Sequence, residues 1–247
     1  MDPMIVVEQE RGLEIITQND HARLAGQILE LMPALASHPR RDSLILAGHL
    51  HDVGWQEIDS APSVDAQGAP YDFLSQPTTT RLEIWQRSVQ RVLDKDRHAG
   101  LLVVLHASRL YTESLRRSSD EAVRDELERL NELQDALFVE LDVTADTARS
   151  DYGWLDLVDL LSLVACNRWT TPLKRQLPDG TELEICWDGD ALRLEPLLLA
   201  GDTTLRVPQR EFERRSFGES LEYAMALATA RWKERDVPIR GRRKDIL

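Results

Sequence analysis

The chain has few cysteines, no long apolar run and no surplus of positive charge, and each shortage excludes a class of protein. Cys166 and Cys186 are the only cysteines in 247 residues. Two thiols cannot build the cross-linked framework of a small secreted domain, and reduced thiols in a cytoplasm are the simpler reading. No apolar stretch approaches the ~20 residues that a membrane-spanning helix needs. The opening MDPMIVVEQERG has neither the basic segment nor the apolar run of a secretory signal. With 43 acidic against 30 basic residues the net charge is −13. That balance argues against a surface for duplex nucleic acid, whose phosphates need a basic face. The expectation is an acidic cytoplasmic protein with neither a membrane nor a nucleic-acid duplex as partner. At 42% hydrophobic and 30% charged it can bury a sizeable core. With ~150 residues as a typical domain, one domain over 1–247 is expected.

Along the chain, Ile5 to Gln9 and Leu13 to Thr17 are apolar or β-branched runs on either side of Glu10-Arg11-Gly12, which reads as a hairpin. Helix signals follow. Asn19 or Asp20 can cap a helix in which Leu24, Ile28 and Leu31 recur at helical spacing. A second helix runs from a cap at Asp42 through SLILAGHLHDV to about Gly54. Residues 55–80 hold three prolines without sustained periodicity and read as a long loop, a usual place for a functional lid. Helices are predicted over 81–94, over 99–115, from Ser118 or Ser119 to about 141, and over 154–167 after a break at Gly153. Thr181 to Trp187 alternates apolar and acidic residues, and Asp188-Gly189-Asp190 turns it into 191–195 as a second hairpin. Thr204 to Val207 adds a strand, a last helix covers about 212–234, and a basic tail RGRRK follows. The expected fold class is therefore mainly α, with a helical core over about 19–170. The two terminal hairpins, within 4–17 and 181–207, should meet in one small antiparallel sheet, because isolated hairpins are barely stable.

The chemistry concentrates in LAGHLHDVGW, where His51 and Asp52 stand side by side near the end of an apolar helix. One metal approached from the helix edge can take a ring nitrogen from the first and a carboxylate oxygen from the second. Three more polar side chains face the same core. His21 shares its helix face with Leu24, Ile28 and Leu31. His106 sits among Leu102, Val103 and Leu110. Asp159 lies in the almost wholly apolar WLDLVDLLSLVA. Burying a lone carboxylate costs several kcal/mol, so Asp159 calls for a cation or strong donors. A core side chain satisfied by the backbone accounts for any one of these residues alone. Together, His21, the His51-Asp52 pair, His106 and Asp159 offer inward polar ligands from four helices toward one core, and point to a metal. Asp156, one turn before Asp159, is the alternative to it.

The succession His21, His51-Asp52, Asp159 on successive helices resembles the HD-domain superfamily of metal-dependent phosphohydrolases. More narrowly, the sequence resembles an uncharacterised bacterial HD-like family of unknown function over nearly its whole length. That likeness rests on HDxGW, a loop with Asp59, Pro62, Gly68, Pro70, Tyr71 and Phe73, then LLVVLHAS and DLLSL. The resemblance implies an HD-like helical bundle and a metal on His21, His51, Asp52 and Asp159, and it implies no substrate. Two features depart from the superfamily. Many of its phosphohydrolases keep a lysine four residues after the doublet's aspartate, where Gln56 stands here. Binuclear members add two widely separated histidines, whereas His98 and His106 are eight residues apart. On one helix that means ~12 Å of rise, while two ions of one site stand ~3.5–4 Å apart. His106 is therefore kept as the ligand, and His98 reads as a helix-start or surface residue. His49 faces away from His51, for packing or a supporting bond, and His38 reads as loop.

The expected activity is hydrolysis of a phosphate ester or nucleotide-like small molecule by metal-activated water, with Asp52 and His106 as catalytic groups. A mixed imidazole and carboxylate set suits Mn, Fe, Co, Ni or Zn. The small, anionic substrate would meet Trp55, Asp59, Tyr71 and Arg109, with Phe73 completing a lid. Arg97 and Arg168 are further candidates for an anion. The alternatives are an HD-type di-iron oxygenase and a non-catalytic metal- or ligand-binding protein. Cys166 reads as packing, and the charges of 119–141 as a solvated helix face.

Overall fold

The computed structural model describes residues 4–9, 12–71, 73, 76–213 and 215–242. Strands β1 (Ile5–Gln9) and β2 (Gly12–Ile16) form the expected N-terminal hairpin; its Glu10 and Arg11 lie outside the described residues, as do the last residues of the basic tail. Thr17 then caps α1 (Gln18–Glu30), its hydroxyl accepting from the amide of Asp20, so the helix starts slightly before the predicted cap. Helix α2 (Arg41–Leu50) stops at His51, and a 3-10 turn over Val53–Trp55 leads into the short α3 (Gln56–Ser60). The segment expected to be a plain loop is thus helical in its first part, and a bridge between Val64 and Pro70 folds the rest.

Four long helices follow: α4 (Thr78–Leu93), α5 (Arg97–Leu115), α6 (Glu121–Leu141) and α7 (Ala145–Asn167). Asp96, Asp120 and Thr144 cap the last three with side-chain oxygens that accept first-turn amides. Helix α7 begins nine residues before the predicted start, because Gly153 does not break it. Its buried face, with Ala148, Asp151 and Leu155, continues straight through the glycine. Helix α1 packs against α2 and α7, and α5 packs against α2, α4, α6 and α7. The α1–α2 crossing is close because Gly26 and Gly48 face each other, and a Cβ on Gly48 would stand 2.9 Å from the Cα of Gly26. That crossing brings the His21 end of one helix toward the His51 end of the other.

The rest of the chain corrects the expected fold class. Strands β3 (Leu173–Gln176), β4 (Glu182–Asp188), β5 (Ala191–Glu195), β6 (Thr203–Glu213) and β7 (Arg231–Arg240) join the first hairpin in one seven-stranded sheet of order β1-β2-β6-β7-β5-β4-β3. The pairings are antiparallel except β5 with β7, which is parallel and makes the sheet mixed. The molecule is not a mainly-α, HD-like bundle carrying a small antiparallel sheet. The two hairpins do share a sheet, but β6 and β7 stand between them. The helix predicted over 212–234 is instead the end of β6, the ten-residue α8 (Ser220–Thr229), and the start of β7. Ala230 takes an extended conformation and releases the chain from α8 into β7, which pairs with β6 from Arg231 to Ile239. Leu205 and Val207 on β6 and Val237 and Ile239 on β7 are buried. With Leu183, Ile185, Leu192 and Leu194 they complete one hydrophobic core shared by sheet and helices. Met4, Leu13, Ile15, Phe217, Tyr223 and Leu227 form a smaller cluster under α8. Cys166 and Cys186 are both free thiols, and Cys166 is buried. No helix among the described residues is long and apolar enough to cross a membrane.

Candidate metal centre

His21 from α1, His51 and Asp52 from the end of α2, and Asp159 from α7 converge where those helices meet. They are 1%, 0%, 5% and 9% exposed. His21 Nε2 lies 3.1 Å from Asp159 Oδ1 and 3.6 Å from Asp52 Oδ2. His51 Nε2 lies 3.5 Å from the same two oxygens. One atom each from His21, His51 and Asp159 falls within 4.8 Å of the others, so the three can hold a metal ion.

Surrounding bonds fix how each side chain faces that centre. The carbonyl of Gly48 accepts from His51 Nδ1 at 2.9 Å. Ser162 spends its one proton on the carbonyl of Asp159, at 2.9 Å, so its oxygen accepts from His21 Nδ1 at 2.8 Å. Both rings therefore carry a proton on Nδ1 and turn Nε2 inward, the arrangement that metal-binding histidines take from outer hydrogen bonds. Trp55 Nε1 donates to Asp52 Oδ1 at 3.1 Å, leaving Oδ2 for the centre. Gly54 makes this geometry possible, since a Cβ there would come within 2.0 Å of the Ile84 carbonyl. The glycine and tryptophan of HDVGW thus seat the doublet against α4 and orient its aspartate. His51 Nε2 is left buried with no hydrogen-bond partner, which in a native interior asks for an explanation.

The electrostatics agree. Burial opposes a charged His51, yet Asp52 and Asp159 outweigh it and push its pKa up to about 9. Burial raises the carboxyl of Asp52. Asp159 is held well below the usual carboxylate range, because the imidazoles of His21 and His51 that face it overcome its own burial. A proton retained among these groups marks a place where positive charge is required, and a divalent cation meets that requirement as well.

His106 stands at the edge of the centre, its Nε2 4.0 Å from Asp159 Oδ2 and its ring 5.4 Å from that of His51. Burial presses its pKa down to about 3, so it is a neutral imidazole. Its Nδ1 lies 3.3 Å from the hydroxyl of Tyr152, which also meets Arg109 Nε at 2.7 Å and Asp156 Oδ1 at 3.3 Å. Asp159, not Asp156, faces the centre; Asp156 pairs with Arg109.

Other sequence candidates do not face the centre. Trp55 is buried under Asp52 rather than placed over it as part of a lid. Asp59 accepts from the amide and side chain of Asn19, tying α3 to the start of α1. Burial pushes its pKa up to about 7. Tyr71 is half-buried just after the Val64–Pro70 bridge, and Phe73 packs on the core. Arg97 pairs with Glu140 and Arg168 with Glu14. His98 is a buried partner of Asp151 at 2.8 Å, not a surface residue. His38 contacts the same carboxylate, and His49 reaches out to Glu30. Sequence reasoning missed Ser162 and Tyr152. Tyr152, Asp156 and Asp159 follow the i, i+4, i+7 spacing of one helix face, a signal hidden by reading Gly153 as a break.

No curated protein and no solved structure matches the chain. The resemblance to the HD-domain superfamily is overturned, because the one family shown carries no such assignment and the architecture includes a seven-stranded sheet rather than a helical bundle. The family model described as "Protein of unknown function (DUF3891)" matches residues 4–214, and the chain belongs to that family.

Proposed function

We propose that the protein is a metal-dependent hydrolase of a small anionic substrate, a phosphate ester or nucleotide-like molecule. The observation that carries this reading is the orphaned Nε2 of His51, buried between two carboxylates with its other nitrogen already committed to Gly48. His21, His51, Asp52 and Asp159 would hold the ion. The donor set, two imidazoles with two carboxylates, suits Mn, Fe, Co, Ni or Zn. A bound divalent ion supplies an acidified water and polarises a phosphoryl oxygen. Ser162 and Trp55 keep the ligands oriented, neutral His106 borders the reacting volume, and Arg109 is the nearby cation for an anionic substrate.

The experiment is metal analysis of the purified protein and of His51→Ala, with a panel of phosphomonoesters and nucleotides assayed under each of the five metals. The expected result is about one ion per chain, lost in His51→Ala together with turnover. Absence of stoichiometric metal, or turnover that survives the substitution, overturns the proposal. The depth of the ligands favours one competing reading, a purely structural ion. In that case chelation unfolds the protein and the metal-loaded form turns over none of the panel.

A further inference from the structure

A file of polar side chains runs between α5 and α7 from solvent to the ligand cluster. Its outer members are part-exposed: the side chains of Glu113, Arg109 and Asp156 are 42%, 34% and 33% accessible. Its inner members, His106 and Asp159, are buried. Arg109 occupies the middle and is fully engaged by the protein. It donates to Tyr152 at 2.7 Å and to Glu113 at 3.2 Å, and its remaining nitrogen lies 3.1 Å from Asp156.

Two of those three partners are weak holders. Glu113 is a part-exposed i,i+4 partner, a kind of pair that contributes little. Asp156 is a carboxylate whose burial disfavours its charge. A guanidinium fork fits a planar or tetrahedral oxyanion as well as it fits Asp156.

We propose that Asp156 is a built-in stand-in for the substrate, and that a phosphoryl group entering between α5 and α7 displaces it from Arg109. This deepens the hydrolase reading by giving the phosphoryl group its seat, one helical turn outside the ligands. Tyr152 holds Arg109 in place during the exchange through a bond the anion does not need.

The test uses inorganic phosphate as probe, titrated calorimetrically into the full-length protein, metal-loaded and after chelation. Asp156→Asn keeps the shape and the acceptor for Tyr152 but loses the competing charge, and it should bind phosphate about tenfold more tightly than wild type. Arg109→Gln should bind at least tenfold more weakly, with Arg109→Lys in between. The opposite signs separate this from a structural ion pair, in which both substitutions lower the melting temperature and neither improves binding. Phosphate binding by Asp156→Asn no tighter than wild type overturns the proposal, as does undiminished binding by Arg109→Gln. Should Arg109→Gln not fold, the Asp156→Asn comparison decides alone. Metal content is read on the same samples. A chain that takes up no metal but shows the two opposite shifts in phosphate affinity retains the anion seat and loses the hydrolase reading.

Discussion

Ser162 touches no ligand atom at the centre, yet it decides which nitrogen His21 presents there. Its hydroxyl proton is committed to the Asp159 carbonyl, so its oxygen can only accept from His21 Nδ1. Ser162→Ala removes that acceptor and leaves the ring free to flip or change tautomer. Outer-sphere losses of this kind cost about 10–100-fold in metal affinity. The expected outcome is a weakening in that range by chelator competition, with the melting temperature of the metal-free protein little changed. An affinity within twofold of wild type would show that His21 is oriented by packing alone. The convergence of His21, His51, Asp52 and Asp159 was legible in the sequence, because a polar residue on an otherwise apolar helix face is conspicuous. Ser162 was not, because a small hydroxyl inside such a face normally satisfies itself on its own backbone.

At the scale of elements, Asp151 joins three helix beginnings. It lies in α7, 1% exposed, and receives Arg40 and His38 from just before α2 and His98 from the first turn of α5. Burial alone would raise its pKa, but the bonds from His98 and Arg40 hold it at about 2. A carboxyl whose pKa is lower folded than unfolded, where it is ~3.9, contributes stability above the unfolded value and loses it as pH falls toward the folded one. The contribution should therefore be complete above about pH 4 and fade between about pH 4 and 2. Asp151→Asn should cost about 2 kcal/mol at pH 7, a figure reduced because Arg40 is part-exposed. The gap to wild type should close as urea unfolding is repeated at pH 4, 3 and 2. A gap that stays constant with pH would assign the loss to packing. This hub was illegible for a physical reason: the partners are over 100 and over 50 residues from Asp151, and no local pattern announces such a meeting. The starts of α5 and α6 lie nearer the local pattern: 99 and Ser118 or Ser119 are the expected starts, and the helices begin at Arg97 and Glu121 on caps at Asp96 and Asp120.

The molecule as a whole is organised around a strand that looks least like one. The first half of β7, RWKERD, is charged and mostly exposed, and only Val237 and Ile239 alternate inward. A helix pattern in 212–234 was the natural reading of that composition, and only the pairing with β6 and β5 overrides it. Ile239 sits where β7 has neighbours on both sides, Thr203 of β6 and Leu192 of β5. Ile239→Ala should cost about 3 kcal/mol, in the range for a buried isoleucine. Trp232→Ala, 51% exposed and stacked by Arg210, should cost under about 1 kcal/mol. Equal losses for the two in denaturant titrations would mean that β7 does not hold the sheet's centre.

The strand order also sets a timetable for synthesis. The second partner of β2 within the sheet, after β1, is the Arg210–Glu213 end of β6, made roughly 200 residues later, which at ~5–20 residues per second is about 10–40 s. Throughout that interval Leu13 and Ile15, buried in the finished protein, lack the strand and helix that cover them. The four proposed ligands, all within residues 18–167, are synthesised before β6. A cation captured at that stage would meet a helical body whose sheet is still unborn.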